Sequence, residues 1–427
     1  MSRAHGSNRE SMGPTRASKL ILGLWIMLGI VPAVFGGEIV VGPSKPIQTL
    51  RDALKVSKPG DTIRLQRGVY KEGNLVIDKP VAIVGEDLPE LDGEGKVEVL
   101  TIVSDGVVIE GLLIRNSGVS FLEDQAAIRL EGVRSCAVKN CRLYDNFFGI
   151  YLAKSSDCLI ENNLIEGSAL MESYAGNAIH LWSCTRIRIE GNKIRGHRDG
   201  IYFEFVKDGW IKGNLSEKNL RYGLHFMFSD SCRYLENTFR ENGAGVAVMY
   251  TKNVSMQRNT FIHNWGPGSF GLLLKDIDDS QIEENVFNNN TVGIYAEGSN
   301  RVKVMANAFK QNGFALRIMA NCEGSVFEGN AFLGNAFDVT TNSTQNPNRF
   351  TRNYWDAYKG YDLNKDGLGD VPFRPVSLLG LVVERVPPAL ILLKSPLSQV
   401  LDTIERAIPT LIPETLKDET PLMANPL

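Results

Sequence analysis

Two histidines and two methionines fall at equivalent places of a motif that the chain repeats. His225 and Met227 lie two residues apart in GLHFMFSD, which starts at Gly223, and Met249 takes the Met227 place in the next copy, GVAVMYTK from Gly245. The two preceding copies, AIHLWSCT from Ala178 and GIYFEFVK from Gly200, put His180 and Tyr202 at the His225 place and Trp182 and Glu204 at the Met227 place. Thioether sulfur and imidazole suit Cu(I) and serve Mg²⁺ or Ca²⁺ badly. His225, Met227 and Met249, with His180 and Glu204 nearby, therefore form a candidate copper site. Packing beneath a surface insertion is the competing reading of the same residues. Met256, in an inward column, and Met305, with no histidine beside it, mark the contrast.

Strands must hold these side chains on one wall. Within each copy apolar residues alternate, as in Ile179 and Leu181, Ile201 and Phe203, Leu224 and Phe226, Val246 and Val248. That period of two marks a strand with one buried face. The residues between point outward, so His225 and Met227 share a face at about 7 Å, with Met249 about 5 Å from Met227 one coil further on.

From Ala127 the coils end at Cys141, Asn163, Asn192, Asn214, Asn237, Asn259, Asn285, Asn307, Asn330 and Asn353, in steps of 22, 29, 22, 23, 22, 26, 22, 23 and 23 residues. The two long steps place surface insertions at Gly167–Gly176 and around Trp265–Phe270. Two residues past the Asn a column such as Phe239, Phe261, Phe287, Phe309, Phe332 and Trp355 must face inward. So must a column three before it, from Ile160 to Phe350. Three short strands per coil, with Asn and Gly at the corners, predict an all-β, right-handed parallel β-helix.

The 427 residues thus make one elongated unit rather than two or three ordinary domains. Arg3, Arg9, Arg16 and Lys19 precede the apolar run Leu20–Val34, the pattern of a secretory signal peptide over 1–36, with an uncleaved anchor as the alternative. Its removal takes the formal charge from -3 to -6. No basic run lies beyond it, which speaks against a nucleic-acid partner. Cys136, Cys158 and Cys232 fall at inward positions and read as core thiols. The run Ile47–Ser57 predicts a short helix capping the first coil. The solenoid extends over 37–355, an Asp/Gly-rich loop over 356–376, and a tail over 377–427 with an amphipathic helix at Ser395–Ala407 that either caps the last coil or docks on a partner.

Other polar clusters are weaker. Asp362, Asn364, Asp366 and Asp370 match the first part of a Ca²⁺ loop, but Phe373 stands where a bidentate Glu is usual, so a plain polar turn competes with calcium. Asp276, Asp278, Asp279, Glu283 and Glu284 lack the partners a polysaccharide-cleaving site needs and read as a solvated corner. His197 and His263 read as solvated corner residues.

The runs IQTLRDAL from Ile47, KPGDTI from Lys58, GLHFMFSD from Gly223, VAVMYTK from Val246 and above all NYWDAYKGYDLNKDGLGDVP from Asn353 together resemble the NosD family, periplasmic maturation factors of nitrous-oxide reductase. The resemblance implies a non-enzymatic protein, exported to the periplasm and held at the inner membrane by an ABC-type permease and ATPase. It implies a copper-chaperone lipoprotein as donor, nitrous-oxide reductase as recipient, and the tail after Pro375 as the transporter-docking part. A carbohydrate-binding or polysaccharide-cleaving β-helix and a passive scaffold for the reductase are the alternatives.

Overall fold

The computed structural model describes residues 36–120, 124–343, 346–393, 395–407 and 416–426; the signal-peptide expectation lies almost wholly outside them. Short strands follow one another around three walls. A 14-stranded sheet runs from Glu38–Val41 to Arg349–Thr351, a 12-stranded second sheet from Leu75–Ile77 to Phe337–Thr340, and a 13-stranded third from Val69–Tyr70 to Tyr354–Trp355. Successive coils pair in parallel, as in Asp199–Glu204 with Tyr222–Met227 and the latter with Ala244–Lys252. The chain is the parallel β-helix that its period predicts.

Stacking explains the inside. Phe239, Phe261, Phe287, Phe309, Phe332 and Trp355 form one column with ring centroids 4.1–5.5 Å apart, all fully buried or nearly so. Each such ring contributes about 1.5–3 kcal/mol by leaving water. The Asn column is buried too: Asn237 Nδ2 donates to Asn259 Oδ1 at 3.0 Å and to Ile211 O at 3.0 Å, and the same pattern repeats along the stack. The residue before each Asn turns the corner with positive φ, which is why Gly stands at 191, 213 and 329. A second ladder, Asn219, Asn242, Asn264, Asn290, Asn312 and Asn335, runs five residues beyond the first. The six cysteines are buried free thiols.

Both ends are closed. Helix α1 (Leu50–Val56), shorter than the run that predicts it, is capped by Thr49 and buries Leu50 and Ala53 in the core. At the other end α2 (Leu378–Arg385) lies outside the coils against Val292, Phe314 and Phe337, fastened by Arg317 to Glu384 at 2.7 Å. Helix α3 (Pro396–Ala407) follows. The chain then returns: Leu416 and Asp418 are fully buried, and Asp418 accepts hydrogen bonds from Asn353 N, Asn353 Nδ2 and Trp355 Nε1. Asp418 thus takes the place of the next Asn in the ladder. Part of the expected docking tail is therefore the cap of the last coil.

Candidate functional site: the outer face of the second sheet

The strands set the candidate residues in two columns. Trp182, Glu204, Met227, Met249 and Lys275 are consecutive partners in one; Tyr151, His180, Tyr202, His225 and Ala247 in the other. Their neighbours Leu224, Phe226, Val246 and Val248 are fully buried inside, so both columns lie on the outer wall. Met227 and Met249 are half-buried on adjacent rungs, as the spacing requires, and Glu204 adjoins Met227. The Tyr202 hydroxyl donates to Met227 Sδ at 3.5 Å.

The expectation of an open imidazole at 225 is corrected. His225 is only 4% exposed, because Tyr202 and Tyr222 close over it with ring centroids 4.9 and 4.8 Å away. Its Nδ1 lies 3.5 Å from the Arg221 guanidinium and 3.9 Å from Asp199 Oδ2, while Nε2 is buried without a partner. Asp199 is fully buried and grips Arg221 through two hydrogen bonds of 2.6 and 2.9 Å. Burial pushes the Asp199 carboxyl up, but the hydrogen bonds from His225 and Arg221 outweigh it and leave its pKa below the ordinary value. A metal-binding imidazole is commonly oriented by contacts to its other nitrogen, and Nδ1 is so placed here. The soft donors on this wall are two thioethers on adjacent rungs, with the unpartnered nitrogen of His225 on the neighbouring column.

His180 does not join them. It stacks between Tyr151 and Tyr202 at 4.6 and 4.8 Å, so Tyr202 separates it from His225. Its Nδ1 meets Asn177 Nδ2 at 3.0 Å, and burial, with Arg198 second, pushes its pKa down to about 3. His197, expected in solvent, is buried beneath the first insertion; His263 is exposed as expected. In the Asp/Gly loop, Asp362 accepts from the amides of Lys365, Asp366 and Gly367, Asp366 from Leu368, and Asp370 from Leu363. Asn364 bonds Asp366. The loop thus closes on its own amides. Among the described residues no group of three or more His, Cys, Asp or Glu is arranged to hold a metal. Asp278, Asp279 and Glu284 pair with Arg301 and Arg258 at the surface, as expected of a solvated corner.

Sequence reasoning missed Phe205 and Phe228, which follow Glu204 and Met227 of the first column. Phe205, Phe228 and Tyr250, one after Glu204, Met227 and Met249, stack at 5.3 and 5.2 Å and are 49%, 43% and 43% exposed. Their φ values of 50–56° are costly for aromatic residues. On neighbouring rungs the same corner holds Lys154, Ser183, Asp276 and Gly298. The signal was visible as three aromatics at equivalent repeat places. Asp199, Arg221 and Tyr222 were missed because they precede the alternating pattern.

Fold and wall define a parallel β-helix protein with a soft-donor patch on one sheet. Solved structures agree on the fold: the Dettilon tailspike protein (TM-score 0.54, 14% identity, 68% of this chain and 64% of that one) and a family 28 exopolygalacturonase of Yersinia enterocolitica (0.55, 10%, 74% and 78%). Residues 164–365 match the family model described as periplasmic copper-binding protein (NosD). Two relatives, each called probable ABC transporter binding protein NosD, are 31% identical over 88% of this chain and 91% of the Pseudomonas aeruginosa protein, and 28% identical over 85% and 87% of the Stutzerimonas stutzeri protein. The chain belongs to the NosD family. The relatives' names describe binding proteins, and among the described residues no helix is long and apolar enough to cross a membrane.

Proposed function

We propose that this chain is a non-enzymatic periplasmic assembly factor. It holds Cu(I) in transit on the outer face of the second sheet and, with an ABC-type permease and ATPase, takes part in copper delivery for maturation of nitrous-oxide reductase. A copper-chaperone lipoprotein is the donor. The supporting observation is the register of Met227 and Met249 on adjacent half-buried rungs, with the unpartnered Nε2 of His225 beside them. The thioethers receive the ion at the surface, His225 backs them, and Arg221 and Asp199 fix the imidazole. Glu204 borders Met227 and attracts the cation, and the aromatic corner at 205, 228 and 250 rims the patch.

Two variants carry the test. Cu(I) titration of the Met227→Leu/Met249→Leu chain against a competing chelator is expected to show affinity weakened at least about tenfold, or about 1.4 kcal/mol; unchanged affinity removes the site.

The transporter contact is assigned to the apolar surface of the tail, where Val386, Ile391, Leu397 and Val400 are exposed. Ile391→Asp with Leu397→Asp is expected to release the permease while Cu(I) binding persists. Retained co-purification with the transporter defeats that assignment. Point changes serve better than truncation after Pro375, which would also remove the Asp418 cap.

A further inference from the structure

Two arginines stand side by side at the corner that leads into the second sheet. Asp199 pairs with Tyr222 and Tyr222 with Ala244, so Arg198 and Arg221, one residue earlier, occupy adjacent rungs, with Gly176 and Gly243 on the rungs to either side. Arg221 N donates to Arg198 O at 2.8 Å, which ties the two backbones together. Both guanidiniums turn toward one buried carboxylate. Arg221 Nη2 lies 2.6 Å from Asp199 Oδ2, and Arg198 Nε lies 3.9 Å from the same oxygen, near enough for an ion pair but too far for a hydrogen bond. The Arg198 Nε is buried without a hydrogen-bond partner. Both side chains keep a face to solvent, 31% exposed at Arg198 and 32% at Arg221. Arg221 is further positioned over the Tyr222 ring, 4.9 Å from its centroid.

We propose that the Arg198–Arg221 pair is an anion site, taking a carboxylate at the exposed side of the two guanidiniums. Two cations share one carboxylate, and among the described residues no other acid forms an ion pair with either arginine. One positive charge is therefore left without a counterpart. Its effect reaches the next column: burial first, and Arg198 second, push the His180 pKa down to about 3. Asp199 and Tyr222 hold Arg221 in place, so the fixed half of the site needs no ordering when an anion arrives, and Arg198 is the half with donors to spare. A planar carboxylate presents two oxygens to guanidinium N–H groups, a match that a spherical halide lacks. Gly176 and Gly243 bring no side chain over the pair from the neighbouring rungs. The carboxylate is carried either by a free small dicarboxylate or by an acidic peptide, which offer the same group. The site adjoins the soft-donor wall but uses none of its sulfurs, so it does not rest on the copper reading.

The test is calorimetric titration of the full chain with succinate and, separately, with an oligoglutamate peptide, at constant ionic strength. Saturable binding of at least one probe is expected, and the probe that binds identifies the source of the carboxylate. Arg198→Gln is expected to weaken that binding at least tenfold. The variant leaves both Asp199–Arg221 hydrogen bonds in place, and an unchanged unfolding midpoint checks that it folds. In the parent chain, saturation with the bound probe is expected to move the side-chain ¹⁵N resonances of Arg198 and to leave those of Arg258, already paired with Glu236, where they are. Met227→Leu/Met249→Leu is expected to bind the probe as the parent does. No saturable binding of either probe, binding indifferent to Arg198→Gln, or an Arg198 resonance that stays still at saturation overturns the anion site and leaves the copper reading standing.

Discussion

Inside the coils each rung repeats the one below; on the outer face of the second sheet neighbouring rungs differ. Repetition satisfies polar groups by translation, because the partner of each buried Asn is the equivalent Asn one coil away. The Tyr234 hydroxyl, buried with no partner, is an interior exception. On the outer wall His, Tyr, Glu, Met and Ala replace one another along the same two columns, and translation cannot pair them. The orphaned imidazole nitrogen of His225 is there, as are the strained aromatics at 205, 228 and 250. The inner ladder holds the fold; irregularity on the wall leaves donor atoms unused.

The largest predicted loss comes from opening the ladder at its end. Asp418→Ala leaves Asn353 and Trp355 donors unmet and is expected to cost about 3–5 kcal/mol, read by denaturant unfolding, with the last coil losing amide protection first. Breaking the ladder mid-way with Asn237→Leu is expected to cost about 2–3 kcal/mol in the same measurement. On the wall, His180→Phe keeps the stack between Tyr151 and Tyr202 but loses the Asn177 hydrogen bond, a cost present at every pH, so the pH response is read from the slope of stability against pH. Because the folded pKa of about 3 lies below the ordinary 6.5, the unfolded chain binds the extra proton between those values. The parent chain therefore loses stability as pH falls from 6.5 toward 3, and the variant is expected to lose less. Arg198, Asp199 and Arg129 act on the same group, so their protonation states are part of the comparison. Smallest in stability is Met227→Leu/Met249→Leu, expected within about 0.5 kcal/mol of the parent although Cu(I) binding falls. A large stability loss there would make the thioethers packing residues and erase the contrast.

The columns of the solenoid were legible because a repeat tests itself: Phe239 to Trp355 and the Asn corners each recur many times, and a slip of one residue would turn them all outward. The register of Met227 and Met249 came from the same rule. What covers the wall was not legible. His225 is hidden by Tyr222 and by Arg221 held on Asp199, residues just outside the alternating stretch, and His197 by an insertion whose path no period dictates. The residue that closes the last coil escaped for a related reason: Asp418 is 65 residues from the Asn353 it completes, with three helical segments between among the described residues.

The placement of α2 has a mechanical consequence. It grips the rungs of Val292, Phe314 and Phe337, on the same sheet as Met249 and two to four rungs, or roughly 10–19 Å, beyond it. A beam of stacked coils, pinned by asparagine at every storey, transmits displacement rather than absorbing it.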